Sequence, residues 1–161
     1  MKRRYQVIIL LIMVLGLMGC GIRKETVQDT PEESKEVSKD HQDKKEIRII
    51  IDEVAFQAEF YDNDSVKALI NEMPFTLNME DFSHQEKVAS IPFDLPKTQT
   101  ERPDMIQAGE IYIWSGNSLV LFYTTFQNSY GGYVPIGRIL DTDTLTDALG
   151  SGNAEVLFEV K

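Results

Sequence analysis

Apolar side chains are distributed along this 161-residue chain in three regimes. Val7 to Leu17 is an almost unbroken apolar run, Ile22 to Glu46 is nearly all charged or polar, and from Ile47 onward short apolar runs alternate with turn residues. In the third regime, Ile47 to Ile51 and Ala55 to Tyr61 are β-branched or alternating and flank Asp52-Glu53, which predicts a hairpin. Asp62, Asn63, Asp64 and Ser65 offer capping oxygens ahead of Val66, Leu69, Ile70 and Met73, whose spacing predicts a helix ended by Pro74. Further strands are expected at Phe75 to Phe82, Lys87 to Ile91, Glu110 to Trp114, Leu119 to Phe126, Val134 to Leu140 and Ala154 to Val160, with a short helix from Thr144 to Leu149. Pro92, Pro96 and Pro103 punctuate a long loop between them. A mainly β chain of many short strands and two small helices is best accommodated in a closed or nearly closed barrel, which leaves no sheet edge unpaired.

The first regime has a different purpose. MKRRYQVIILLIMVLGLMGC orders a basic start, an apolar stretch and small residues before a cysteine, as a secretory signal does. The apolar run is shorter than the roughly 18 residues expected of a membrane-spanning helix. Leu17-Met18-Gly19-Cys20 resembles the lipobox of bacterial lipoproteins, in which the cysteine is acylated and becomes the first residue after cleavage. A thiolate has the nucleophilicity that the transfer needs. Cys20 is the only cysteine, so no internal disulfide competes for it. The expected organisation is therefore a signal peptide over residues 1–19, a lipidated Cys20 with a charged linker to residue 46, and one domain over 47–161.

Charge then narrows the partners. The chain has 16 Lys and Arg against 26 Asp and Glu, and Lys2, Arg3 and Arg4 leave with the leader. An acidic surface of this kind repels nucleic acid and anionic headgroups alike. Attachment to a lipid bilayer must then come from acyl chains on Cys20, at about 0.8 kcal/mol per buried methylene. The linker lacks aromatic residues and buries too little to repay its ordering entropy. His41 within it is assigned no role.

The stretches AEFYDNDSVKALINEMPFTLNMEDF, EKVASIPFDLP, QAGEIYIWSGNSLVLFYTTFQNSYGGYVPIGRI and ALGSGNAEVLFEV, taken in order, resemble the bacterial cyclophilin-like domain family over residues 47–161. The resemblance implies an eight-stranded barrel with two short helices. In true cyclophilins a proline-containing peptide sits in an apolar pocket beside an arginine that polarises the amide, with a Phe, a Trp, a Leu and a His contributed by later strands and their loop. Matched without gaps, Val120 stands at the Phe position, Asn128 at the Trp, Ser129 at the Leu and Tyr133 at the His. From Asp81 to Pro92 there is no arginine, and Lys87 is the sole cation. The guanidinium that would stabilise the twisted amide is thus missing.

Val120, Asn128, Ser129, Tyr130 and Tyr133 remain candidates for lining a ligand groove; the competing reading makes the tyrosines barrel caps and Gly131 and Gly132 turns. Trp114, Phe122 and Phe126 are expected to pack in the core or at the rim. The combined expectation is a lipid-anchored, extracytoplasmic domain that binds a peptide or small ligand, with no catalytic residue, metal or cofactor assigned. A weak or divergent prolyl isomerase, or an accessory to a redox system, is the alternative.

Other motifs lead to caps rather than chemistry. Asp141-Thr142-Asp143-Thr144 is similar to a phosphatase nucleophile motif, but only 17 residues follow it, and helix capping accounts for it better. Asp62-Asn63-Asp64 lacks the glycine and terminal Glu of a calcium loop. His84, beside Asp81 and Glu86, has no second His or downstream Cys with which to hold zinc.

Overall fold

A computed structural model describes residues 46–161. Cys20, the leader, His41 and the rest of the charged stretch to Lys45 lie outside the described residues. The elements follow in the order β1 (Ile47–Ile51), β2 (Val54–Phe60), α1 (Asp64–Asn71), β3 (Phe75–Phe82), β4 (Glu86–Ser90), β5 (Met105–Ile106), β6 (Glu110–Trp114), β7 (Ser118–Phe122), β8 (Phe126–Gln127), β9 (Tyr133–Ile139), α2 (Leu145–Leu149) and β10 (Ala154–Val160). Eight strands close an antiparallel barrel in the order β1-β10-β3-β4-β7-β6-β9-β2, and β5 pairs with β8 in a separate ribbon. The predicted mainly β barrel with two short helices is therefore the observed fold.

Turn chemistry explains the register. Asp52 and Glu53 both adopt positive φ between β1 and β2, as a two-residue turn matched to strand twist requires. Ser83 and His84 also take positive φ, in the three-residue connection from Ser83 to Gln85 between β3 and β4, where Asp81 Oδ1 accepts the His84 N–H at 3.1 Å. Asn63 caps α1, its Oδ1 accepting the Val66 N–H at 2.9 Å while its Nδ2 donates to the Pro135 carbonyl at 2.8 Å. The Asp141 motif is an Asx turn: its Oδ1 accepts the Asp143 N–H at 3.1 Å, while Thr144 at the cap position makes no side-chain cap bond.

Side chains alternate between two environments, except at one bulge in β9. Ile47, Ile49, Ile51, Leu77, Met79, Ile111, Ile113, Leu119, Leu121, Val156 and Phe158 fill the barrel, joined by Val66 and Leu69 of α1 and Leu145 and Leu149 of α2. On the outside, Ile106, Tyr112, Val120, Phe122 and Tyr133 form a second buried cluster, with Val88 and Phe126 packed against it. Strands β6 and β7 are thus covered on both faces. Between Ile111 and Tyr112 the pairing with β9 slips by one residue, so Ile136 is the extra residue of a bulge.

The long strand expected from Leu119 to Phe126 is divided. After Phe122 the chain leaves the barrel, and Phe126-Gln127 pairs instead with Met105-Ile106. The cause is the double burial: Leu119, Val120, Leu121, Phe122 and Tyr123 are all buried, so an apolar run carries no periodicity that marks the strand's end.

Candidate functional site

Strand β4 decides what the outer face can do. Its residues alternate, so Lys87 and Ala89 point inward while Glu86 and Val88 point outward, in register with Phe122 and Val120 of β7. Lys87 is fully buried. Its Nζ donates to Asp81 Oδ2 at 2.9 Å, to the Gly150 carbonyl at 3.0 Å and to the Gly152 carbonyl, and lies 5.5 Å from the centre of the Tyr123 ring. The Tyr123 hydroxyl donates to the same Asp81 oxygen at 2.6 Å. That bond, then the one from Lys87, hold the Asp81 carboxyl down at about 2. Tyr123 is pushed up in turn, by burial first and by Asp81 second. The lone cation of this segment is therefore bound inside the barrel, facing away from the outer cluster.

Glu86 takes the outward place. In the sheet it sits between Phe82 of β3 and Phe122 of β7, the first 60% exposed and the second fully buried. Among the described residues its carboxyl has no hydrogen bond or ion pair. Burial alone raises it to about 7. Its charge reaches Tyr133, whose hydroxyl is raised by burial first and by Glu86 next.

The aromatic cluster beside it is ordered by edge contacts. Tyr112 meets Tyr133 at 5.3 Å and 65°, and Phe122 at 6.0 Å and 75°; Phe126 lies 5.6 Å from Phe122. Burial, followed by the charges of Glu110 and Glu101, pushes the Tyr112 hydroxyl up. Val88 is shared with a neighbouring cleft of about 420 Å³ over β3, β4 and β7, whose polar lining includes Thr76, Asn78, Glu80 and Ser118.

The five groove candidates separate into three environments. Val120 and Tyr133 are buried members of the cluster. Asn128 is a loop staple: its Nδ2 donates to the carbonyls of Pro103 and Tyr130 at 2.8 Å each, and its Oδ1 accepts the Tyr130 N–H at 3.0 Å. Ser129 and Tyr130 are exposed, Tyr130 by 69%. Trp114, half exposed at the rim, donates its indole N–H to the Gly131 carbonyl at 3.2 Å. Phe122 and Phe126 pack on the outer cluster rather than inside the barrel.

Sequence reasoning passed over Glu86, Phe82, Tyr112 and Arg102. The Arg102 stem runs beside Gly131, whose added Cβ would stand 3.5 Å from it. Ile111-Tyr112-Ile113 and Leu119 to Phe122, apolar on successive positions, were the signal that β6 and β7 have a covered outer face.

Glu86 gives a measurable prediction. A carboxyl whose folded value lies above its unfolded 4.5 costs stability progressively as pH rises from about 4.5 to about 7, and fully above that. Glu86→Gln should therefore stabilise the domain at pH 8, by about 1 kcal/mol after allowance for solvent screening of a partly exposed group, and leave it nearly unchanged at pH 4. Urea unfolding at the two pH values measures this. An equal effect at both would contradict the assigned burial.

The profile of the cyclophilin-like family matches residues 49–159. Among solved structures, the solution structure of a hypothetical protein from Archaeoglobus fulgidus is similar, with a TM-score of 0.53 at 16% identity, over 73% of this chain and 95% of that one. At that identity the likeness speaks to fold alone. No curated protein sequence matches.

Proposed function

The chain belongs to the cyclophilin-like family, and on that premise we propose that its barrel is a ligand-binding domain, held outside a cell membrane by lipid on Cys20 and lacking conventional prolyl isomerase chemistry. The observation that carries the lack of isomerase chemistry is the direction of Lys87. An amide carbonyl laid on the outer cluster would find the Glu86 carboxyl on β4, with the strand's cation sealed on the opposite side. Stabilising a twisted prolyl amide calls for a fixed donor at the developing charge, and a carboxylate is the wrong sign for that. A peptide or small ligand is accommodated by what the face does offer: the exposed ring of Phe82 and a polar cleft beside Val88.

The anchoring half rests on the order of the leader and on Cys20. Two acyl chains hold stably where one holds marginally, and the acidic domain supplies no electrostatic attraction of its own.

Two measurements test the two halves. The chain from Gly21 onward should leave the isomerisation rate of a chromogenic prolyl tetrapeptide at its uncatalysed value; acceleration that disappears in Tyr133→Ala or Arg102→Ala would overturn the binding reading. In cells given radioactive palmitate, the wild type should be labelled and membrane-bound, and Cys20→Ala unlabelled and released. Equal membrane retention of the two would end the lipoprotein reading.

A further inference from the structure

The outer face has a distribution of charge that its aromatic content alone would not require. Residues 46–161 hold seven Lys and Arg against nineteen Asp and Glu. Lys87 is buried inside the barrel, Arg48 is paired with Glu159 at 2.5 Å, and Arg138 lies 3.6 Å from Glu59. Among the described residues Glu86 instead stands without such compensation, between the rings of Phe82 and Phe122, whereas Glu110 faces Arg138 across β6 and β9.

An isolated carboxyl on an aromatic surface is costly to the free protein. It loses solvation to the rings and gains no donor in return. The same pairing is favourable once a cation arrives, because the carboxylate neutralises it while ring faces attract it through their quadrupoles. Phe82, largely exposed and paired in register with Glu86, leaves ring surface available beside the carboxylate. A long aliphatic stem ending in positive charge matches this layout better than a compact ion does, since the stem covers apolar surface while the head reaches the carboxylate.

We infer that the outer face beside Glu86 recognises a lysine or arginine side chain of a peptide segment, the stem lying on the exposed ring of Phe82 and the cationic head on the Glu86 carboxylate. This deepens the binding reading and rests on it. Charge complementarity selects the occupant. An acidic or purely apolar segment would leave Glu86 buried without a partner, and nucleic acid would meet a carboxylate.

The test uses the full chain in detergent micelles, immobilised and exposed to a random library of acetylated, amidated hexapeptides, with the retained pool sequenced. The wild type should enrich Lys or Arg about fivefold or more at one position, and Glu72→Gln, an exposed acid on the far end of α1, should do the same. Glu86→Gln should abolish the enrichment, with at least a tenfold loss of affinity for the selected peptides measured singly. If peptides are retained without any preference for Lys or Arg, or if the preference persists in Glu86→Gln, the inference falls while the binding reading stands. If no peptide is retained by any variant, the binding reading falls and takes the inference with it. Urea unfolding of Glu86→Gln, expected to match or exceed wild type in stability, separates loss of binding from loss of folding.

Discussion

Lys87→Met should destabilise the domain by about 3–5 kcal/mol, the cost of breaking a buried ion pair by removing one member. Methionine fits the space but leaves the Gly150 and Gly152 carbonyls and Asp81 without their shared donor. The damage should extend to the β3–β4 hairpin and the turn after α2, which Lys87 joins. Chemical unfolding of wild type and variant measures the loss. A companion variant, Lys87→Met with Asp81→Leu, should recover part of it, because replacing both partners by apolar groups removes the stranded charge. Full recovery is not expected, since Asp81 also accepts from Tyr123 and from the His84 N–H. The acid limb carries the same signature. Asp81 sits at about 2 when folded against 3.8 ordinarily, so its contribution is complete above 3.8 and is lost as pH falls through about 2. In Lys87→Met that acid-sensitive component should shrink. A variant as stable as wild type would mean that the buried network is dispensable.

The second large effect is steric. Gly137 lies where β9 crosses β2, and a Cβ there would overlap the Glu59 carbonyl oxygen and stand 2.9 Å from Phe60 Cα. Backbone cannot rotate aside as a side chain can, so Gly137→Ala must spread the β2–β9 seam, at about 3 kcal/mol. Gly152→Ala is the control, because no atom lies within 4 Å of its added Cβ, and it should change stability by less than about 0.5 kcal/mol. Thermal unfolding of the pair distinguishes crowding from the general effect of losing a glycine. Similar shifts for both would remove the crowding argument.

Much of the fold was legible because local rules and burial agreed. Phe75 to Phe82 and Ala154 to Val160 alternate, while Ile47 to Ile51 is marked by its β-branched residues, and these stretches are β3, β10 and β1. A cap among Asp62 to Ser65 was readable because four polar side chains precede a helical pattern; that Asn63 fills it is settled by its bond to Val66. The β5–β8 ribbon was not legible: two residues per strand carry no period, and the pairing joins positions about twenty residues apart. The candidate site was less legible than the barrel. Lys87 and Glu86 are adjacent in sequence, and which of them faces outward depends on strand parity that composition does not report. Asn128 likewise reads as a polar loop residue available to a ligand, whereas its amide is spent on Pro103 and Tyr130.

The alternation of β4 has a consequence for how such a barrel can diversify. Inward, Lys87 is tied to Asp81, Gly150 and Gly152 and Ala89 to the barrel core; outward, Val88 packs on the outer cluster and Glu86 has no such bond among the described residues. Glu86 can therefore be exchanged without disturbing the network that Lys87 holds one residue away, so a single five-residue strand separates what keeps the barrel closed from what colours its surface.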